Sequence, residues 1–169
     1  SPEKSVDPIV MASEIVTALQ TIRSRSLNPR EPSVVTVGII RGGNRFNIIP
    51  AEVYLEGTVR TYSKEAQDVV EKRMHEILKG ITSAYGGTYD LNYKKWIPAT
   101  INNPELTSQV VPSLERSIGK QNVFQIPPTM GGEDFSLFAN IVPGFYYRLG
   151  MVKSGTVSGG HHTPTFRAD

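Results

Sequence analysis

The chain contains no cysteine, which excludes a disulfide framework and any metal site built from thiolates. It also lacks a long apolar run, because the longest, Val34 to Ile40, contains Thr36 and Gly38 and falls far short of the ~20 residues of a membrane helix. An excess of one charge sign is missing as well, since the formal net charge is +2 and the charges are dispersed. We therefore expect neither a membrane nor a nucleic acid as a partner.

The remaining composition is typical of a folded protein of the α+β or α/β class. The chain has 169 residues, of which 38% are hydrophobic and 20% charged, enough for one ordinary domain or two small ones. It starts at Ser1 without an initiator methionine or a signal-peptide pattern, which indicates a fragment of a longer protein. The expected location of that parent is the cytoplasm, although a fragment does not report on a leader outside it.

The first hundred residues predict the order helix, strand, strand, helix, strand. The predicted elements are a helix that Asp7 caps, strands over 34–40 and 52–60, a helix that Ser63 caps and Gly86-Gly87 ends, and a third strand over 89–96. Strict alternation in the second strand favours an antiparallel sheet with one covered face. This order is ferredoxin-like with the opening strand missing, so we predict an antiparallel sheet backed by two helices.

After residue 100 the pattern changes. Asn103-Pro104 begins a helix in which Pro112 predicts either a kink or a later true start. Short strands over 123–126 and 145–149 flank a short helix from Glu133, and this alternation is typical of a piece of an α/β sheet. We therefore predict one domain over residues 1–100 and a second, incomplete one over 101–169.

The tail holds a pair of histidines, His161 and His162, in a glycine-flanked turn. Neutral imidazole is a common zinc ligand, but adjacent histidines on an extended chain point to opposite sides, so at most one reaches a given metal. A solvated or hydrogen-bonded loop histidine is the more ordinary explanation of the pair. From the residues alone both interpretations stay open.

Two further segments hold candidate binding residues. Gly131-Gly132 precedes a helix start rich in acids and predicts either a surface that a substrate approaches closely or an ordinary helix start. Asn47 lies in a hairpin connection and Arg60 ends a strand, where turn chemistry and solvation are the ordinary explanations. No nucleophile set and no phosphate loop is recognisable.

Eight short strings stand in order along nearly the whole chain: Val6-Asp7-Pro8-Ile9, residues 18–25, residues 34–38, Gly42-Gly43, Asn47-Ile48-Ile49-Pro50, Gly57-Thr58-Val59-Arg60, residues 131–135 and residues 162–166. Together they resemble the zinc-dependent amidohydrolases of the hippurate hydrolase, N-acyl-amino-acid hydrolase and indole-acetyl-amino-acid hydrolase type. These belong to the wider aminoacylase and carboxypeptidase family of metallopeptidases.

The resemblance implies a ferredoxin-like lid that forms a homodimer, inserted into a catalytic domain with two divalent metal ions (zinc, or alternatively manganese, cobalt or nickel). The general-base Glu, a lid His and most metal ligands of that family precede residue 1, so it implies no catalytic residue in this chain. His162 matches the last metal ligand. Asn47 and Arg60 match positions that hold the substrate carboxylate or polarise the scissile carbonyl, and Gly131 and Gly132 match the loop that lines the substrate pocket.

The implied reaction of the intact parent is hydrolysis of an N-acyl amino acid or dipeptide, hippurate-like or N-acetylated, by metal-activated water. The isolated chain is expected to bind no metal and to be inactive, because one imidazole cannot hold zinc in a catalytic geometry. Glu3 replaces a histidine that many relatives have there, so substrate preference is not carried over.

Two alternatives from other classes of protein remain. The first is a non-catalytic dimerisation or regulatory module derived from the same lid. The second is an RNA-binding ferredoxin-like sheet, which needs several aromatic residues on one sheet face, whereas Tyr54 and Tyr93 are few and scattered.

Overall fold

The structure, a computed structural model, describes residues 1–168, which form two compact units. The first unit comprises Ser1–Ala99 and Phe124–Leu137, and the second comprises Thr100–Val123 and the residues from Phe138 onward. The segment Phe124–Leu137 therefore groups with the first unit, whereas the predicted division at residue 100 assigns it to the second domain.

The first unit contains two long helices and one β-ribbon. Its elements are α1 (Pro8–Thr21, continued by a wider turn at Ile22–Ser26), β1 (Ser33–Gly42), β2 (Val53–Thr61) and α2 (Lys64–Ala84). Both predicted helix starts are confirmed, because the Asp7 carboxylate accepts from the Ile9 and Val10 N–H groups and the Ser63 hydroxyl accepts from the Ala66 N–H. None of the helices in residues 1–168 has both the length and the apolar character of a membrane span.

The two strands pair antiparallel, from Ser33 opposite Thr61 to Gly42 opposite Val53. The register shifts by one between Val37 and Ile39, so Gly38 is an extra residue in β1 and forms a β-bulge. Alternate side chains of the ribbon point toward the helices or away from them, as the sequence predicts for β2. The predicted α+β class, an antiparallel sheet backed by two helices, is confirmed.

The core lies between the two helices and one face of the ribbon. Its buried members are Ile15, Leu19, Ile22, Val35, Val70 and Leu78. Burying one such side chain stabilises the fold by roughly 1.5–3 kcal/mol, whereas an exposed ion pair contributes about 0–1 kcal/mol. Apolar packing on this one face therefore decides the fold of the unit, and the opposite face of the ribbon stays uncovered by either helix.

Residues 89–96 do not form the predicted third strand. Their alternation is present, because Tyr89 and Leu91 pack against the core while Asp90 and Asn92 are exposed. The hydrogen-bonded sheet in residues 1–168 nevertheless contains only β1 and β2, so this segment has no ladder partner. The period-two pattern reports which side chains face inward, but a strand also needs a neighbour to pair with.

Side chains attach this extended segment to α2. The Lys95 ammonium lies 2.7 Å from a Glu71 carboxylate oxygen and 3.0 Å from an Asp68 oxygen, and Lys64 lies 2.6 Å from the other oxygen of Asp68. Farther back along the segment, the Tyr89 hydroxyl is 3.1 Å from Nδ1 of His75. The segment is thus held by a chain of polar contacts in place of a strand ladder.

The second unit contains α3 (Pro104–Ile118), which is followed by a short 3₁₀ turn (Lys120–Asn122). A further short helix, α4, covers Phe135–Ala139, and its first three residues belong to the first unit. The Asn103 side chain caps α3 by accepting from the Leu106 N–H, and the helix continues through Pro112. The predicted start at Asn103-Pro104 is therefore right, and the alternative of a start beyond Pro112 is wrong.

The predicted strands over 123–126 and 145–149 are not strands in the structure. Residue 146 is held by Asn102, whose side chain donates to the Tyr146 carbonyl at 2.8 Å and accepts from its N–H at 2.7 Å. Neither segment has regular secondary structure, and the sheet in the described residues contains only β1 and β2. The predicted α/β sheet piece is accordingly absent from residues 1–168.

The ribbon yields a matched pair of glycine substitutions. A Cβ added at Gly57 would lie 2.3 Å from the Thr36 carbonyl oxygen, whereas one added at Gly38 would meet nothing within 4 Å. We expect Gly57→Ala to lower the free energy of unfolding by roughly 1–3 kcal/mol, because backbone must move. Gly38→Ala should leave it unchanged or slightly raised. Urea unfolding followed by circular dichroism measures both, and equal effects would contradict the described register.

The ion cluster on α2 predicts a pH dependence. Hydrogen bonds from Lys64 and then Lys95 hold the pKa of Asp68 below its ordinary value of 3.8. A carboxyl whose pKa is lowered by folding stabilises the folded state above its unfolded-state pKa, and this contribution is lost as the pH falls through the folded-state pKa. We expect Asp68→Asn to be less stable than the parent chain at pH 7 and to lose that difference in acid. Asp90→Asn is the control, since Asp90 has no ion pair within residues 1–168.

Candidate functional site

Arg60 lies on the uncovered face of the ribbon. It is the next-to-last residue of β2 and pairs with Val34, and the alternation of β2 turns its side chain away from the helices. Its guanidinium Nη1 donates to the Thr58 hydroxyl and to the Val59 carbonyl oxygen, the latter at 3.1 Å. No carboxylate of residues 1–168 forms an ion pair with it. The remaining donors are therefore available to an external anion.

Glu56, the acidic residue on the same face of β2, is hydrogen-bonded to a tyrosine. The Tyr54 hydroxyl donates to a Glu56 carboxylate oxygen at 2.7 Å. This hydrogen bond to the Glu56 carboxylate, followed by desolvation, raises the pKa of Tyr54. Glu56 is thereby directed along the strand toward Tyr54 and away from Arg60. The arrangement leaves the Arg60 charge without a partner on its own strand.

Asn47 lies at the opposite end of the ribbon, in the connection between β1 and β2. The Ile48 N–H donates to the Arg45 carbonyl at 3.3 Å, so residues 45–48 form a β-turn with Phe46 and Asn47 at its two central positions. Both side chains are exposed. The Asn47 amide makes no hydrogen bond within the part of the chain that the structure describes, and its N–H and C=O groups face solvent.

Within one chain, Asn47 and Arg60 do not meet. Arg60 lies seven positions beyond Val53, where the connection ends. At ~3.3 Å per residue this is about 23 Å along the strand. An N-acyl amino acid is much shorter than that distance. The sequence could not reveal this separation, because a motif gives the order of two residues and not their distance.

Gly131 and Gly132 lie in the first unit, in the loop before α4. Neither has a positive φ. An added Cβ would lie 3.9 Å from Ile97 Cδ1 at position 132 and 4.0 Å from Thr129 Oγ1 at position 131, which are ordinary contacts. The described chain therefore gives no internal steric reason for either glycine. The surface beside them is open to a further group.

His162 lies in the second unit, in a turn closed by backbone contacts. The Gly159 N–H donates to the Thr165 carbonyl at 3.0 Å, and the Thr163 N–H and hydroxyl both donate to the Gly160 carbonyl. His162 has a φ of +64°, and it is the one non-glycine residue with a positive φ among residues 1–168. This left-handed conformation costs about 1–2 kcal/mol for an L-residue, and such strain concentrates at functional sites.

The neighbouring histidine is engaged differently. The His161 ring packs edge-on against Phe166, with ring centroids 5.1 Å apart, and lies 6.5 Å from the His162 ring. The side chains of both histidines are exposed. Residues 1–168 nevertheless contain no group of three or more His, Cys, Asp or Glu side chains placed to hold a metal ion. These residues alone do not fit a metal centre.

Two residues that bear on the site are absent from the sequence-based candidates. Phe46 adjoins Asn47 at the centre of the turn, and its side chain is fully exposed. Gly159 lies beneath the His162 turn, where an added Cβ would be 2.1 Å from Thr165 Oγ1 and 2.4 Å from Thr163 Oγ1. An aromatic residue beside a turn asparagine was a usable signal for the first. No signal in the sequence identifies the second, since the packing becomes visible only in three dimensions.

Residues 1–86 match the peptidase dimerisation domain of the M20 peptidases. The chain belongs to the M20 peptidase dimerisation domain family. The M20 match covers α1, the ribbon and α2, the same elements that hold Asn47 and Arg60. The resemblance of the motifs is thereby confirmed at the level of the family.

Known proteins similar to this chain match it over nearly its whole length. An IAA-amino acid hydrolase ILR1-like protein of Arabidopsis thaliana is 32% identical over 98% of this chain and 38% of its own length. An N-acetylcysteine deacetylase of Bacillus subtilis is 32% identical over 99% of this chain and 43% of its own length. The solved dinuclear metal-binding M20 peptidase of Bacillus subtilis is 29% identical, with a TM-score of 0.80 over 99% of this chain and 42% of that one. The chain thus spans about two fifths of these relatives.

The His162 turn yields a second matched pair of substitutions. Gly159→Ala places a methyl group onto Thr163 and Thr165, whereas Gly160→Ala meets nothing within 4 Å. We expect Gly159→Ala to shift the amide resonances of residues 158–167 in a ¹H–¹⁵N spectrum, because the turn cannot close around the added carbon. Gly160→Ala should shift only its immediate neighbours. Unchanged spectra for both variants would show that the turn is not closed as described.

Proposed function

We propose that this chain is the substrate-binding and dimerising part of a metal-dependent amidohydrolase that cleaves the amide bond of N-acyl amino acids. Two similar proteins support this, one named a deacetylase of N-acetylcysteine and the other a hydrolase of IAA–amino acid compounds. An amino acid is common to both names. A free amino-acid carboxylate is a group that all such substrates share, and the protein needs a residue to bind it.

The observation that carries the proposal is the lack of a carboxylate partner for the exposed Arg60. Its guanidinium lies on the uncovered face of the ribbon without a carboxylate partner in residues 1–168. A planar guanidinium binds a carboxylate through two parallel hydrogen bonds, which fix orientation as well as charge. Arg60 therefore holds the carboxylate of the amino-acid part of the substrate.

Asn47 performs the complementary task at the scissile amide. Its side-chain N–H groups make no hydrogen bond within the described chain and are presented at the centre of an exposed turn. An amide N–H aimed at a carbonyl oxygen stabilises the negative charge that develops there during attack. Asn47 polarises the carbonyl, and the open loop at Gly131 and Gly132 lets the substrate approach its backbone.

The separation of Asn47 and Arg60 implies that two copies of the chain act together. Roughly 23 Å of strand lies between Arg60 and Val53, where the connection that holds Asn47 ends, and a single small substrate cannot span that length. In a homodimer formed through the first unit, Asn47 of one copy and Arg60 of the other can converge on one substrate. The match of residues 1–86 to a dimerisation domain supports such a pairing.

His162, in the second unit, would hold one metal ion. Two divalent metal ions, zinc or alternatively manganese, cobalt or nickel, would supply an activated water for the proposed reaction. Residues 1–168 alone lack a group of three ligands, so we derive no catalytic step through a metal from them. The isolated chain is accordingly proposed to be inactive. The same observation favours one second candidate, a non-catalytic dimerisation module.

The role of Arg60 is tested in the full-length protein with paired substrates. We expect Arg60→Ala to lower kcat/KM for N-acyl amino acids by roughly 10- to 150-fold, the value of about 1.5–3 kcal/mol for hydrogen bonds to a charged group. Hydrolysis of matched acyl amides without a carboxylate should change little. Steady-state kinetics on both substrate types measures the difference, with and without a chelator.

Arg30→Ala is the control for loss of a positive charge, because Arg30 is exposed in the same unit but lies outside the ribbon. An equal loss on both substrate types would contradict carboxylate binding by Arg60. Absence of any chelator-sensitive amide hydrolysis by the full-length protein would favour the non-catalytic module instead.

A further inference from the structure

Phe46 has an exposure that the fold of the chain does not explain. Its side chain is 104% exposed, the highest value among the large hydrophobic residues of 1–168, and its neighbour Ile48 is 62% exposed. The central positions of β-turns favour residues such as Asn, Asp, Ser, Pro and Gly, each for a backbone reason. A phenyl ring supplies none of these. The ring therefore serves neither the core nor the turn.

The turn places Phe46 directly beside Asn47 at its centre. Phe46 and Asn47 are its second and third residues, closed by the hydrogen bond from the Ile48 N–H to the Arg45 carbonyl. Neither has a positive φ, which is the type I geometry, because the other common hydrogen-bonded types need one at a central position. Adjacent Cα atoms are ~3.8 Å apart, so the two side chains start from neighbouring points at the apex of the turn.

The position of Phe46 next to Asn47 bears on substrate binding when Asn47 hydrogen-bonds to the scissile carbonyl. A hydrogen bond from its amide holds the carbonyl oxygen at ~2.9 Å. The acyl substituent is attached directly to that carbonyl carbon and begins one bond farther on. A ring carried by the preceding residue therefore starts one residue away from the atoms bonded to that carbonyl carbon.

We propose that Phe46 is a specificity-determining residue that packs against the acyl group of the substrate and favours aromatic and large apolar acyl groups over acetyl. This rests on the proposed role of Asn47. Aromatic faces pack on flat rings in offset or edge-on arrangements, and an acetyl group offers one methyl where an aroyl group offers a whole ring.

The test compares N-benzoyl and N-acetyl derivatives of the same amino acid with the full-length protein. Phe46→Ala should lower the ratio of kcat/KM for benzoyl to that for acetyl by about 10-fold or more, the scale of discrimination in an apolar pocket. Phe46→Leu keeps an apolar side chain without a flat face and should lower the ratio less. Phe46→Trp retains a flat aromatic face and should keep the ratio close to that of the unsubstituted protein. Gel filtration of each variant reports whether the oligomeric state is unchanged.

The outcomes separate this inference from the proposed function. If Asn47→Ala lowers kcat on both substrates while Phe46→Ala leaves their ratio unchanged, the assignment to Phe46 is overturned and the function stands. A loss that is equal for benzoyl and acetyl substrates, or that accompanies dissociation of an oligomer, also overturns it, because the ring would then have a structural role. If Asn47→Ala changes neither substrate, the role of Asn47 fails, and the inference fails with it.

Discussion

Apolar packing on a single face of the ribbon is the constraint on which the first unit depends. Ile22 and Val70 are completely buried, and Val35 of the ribbon meets them from the other side. Because side chains alternate along a strand, filling the inner face with apolar groups also determines which residues face outward. Arg60 is one of them. Its availability to a carboxylate is thus a consequence of core packing, which orients the whole strand.

The unit combines parts with different resistance to opening. The helices and the ribbon share one apolar core, while residues 89–96 are held by two side chains in that core and by polar contacts to α2. Regions with few buried contacts open at lower free energy than the core. The connection at one end of the ribbon has no buried side chain in this core. The turn at 45–48 projects from it, so its exposed side chains are positioned by the ribbon without being part of the core.

Local signals in the sequence were sufficient for the starts of α1, α2 and α3. Asp7, Ser63 and Asn103 cap the predicted helices because capping involves only neighbouring residues. The prediction of a third strand was wrong for the opposite reason. The alternation of Tyr89 and Leu91 correctly indicated burial, but pairing depends on a partner distant in the chain. The segments 123–126 and 145–149 failed in the same way.

The sequence supplied candidate residues for the site but not their geometry. Motif resemblance pointed to Asn47, Arg60 and His162, all of which are exposed, but it gave no distance between the first two. The left-handed backbone of His162 and the close packing at Gly159 are also invisible in a string of letters, since both arise from the closure of the turn. The role of Phe46 depends on knowing that residues 45–48 form one turn.

The β-bulge at Gly38 has a consequence for how the ribbon can vary among related chains. Gly38 is the extra residue that keeps β1 and β2 in step on either side of it. Deleting or inserting one residue beyond it would exchange the inner and outer faces of the rest of β1, whereas a change of two residues would preserve them. Length variation in this strand is therefore restricted by parity, and odd changes in length are confined to the loop between the strands.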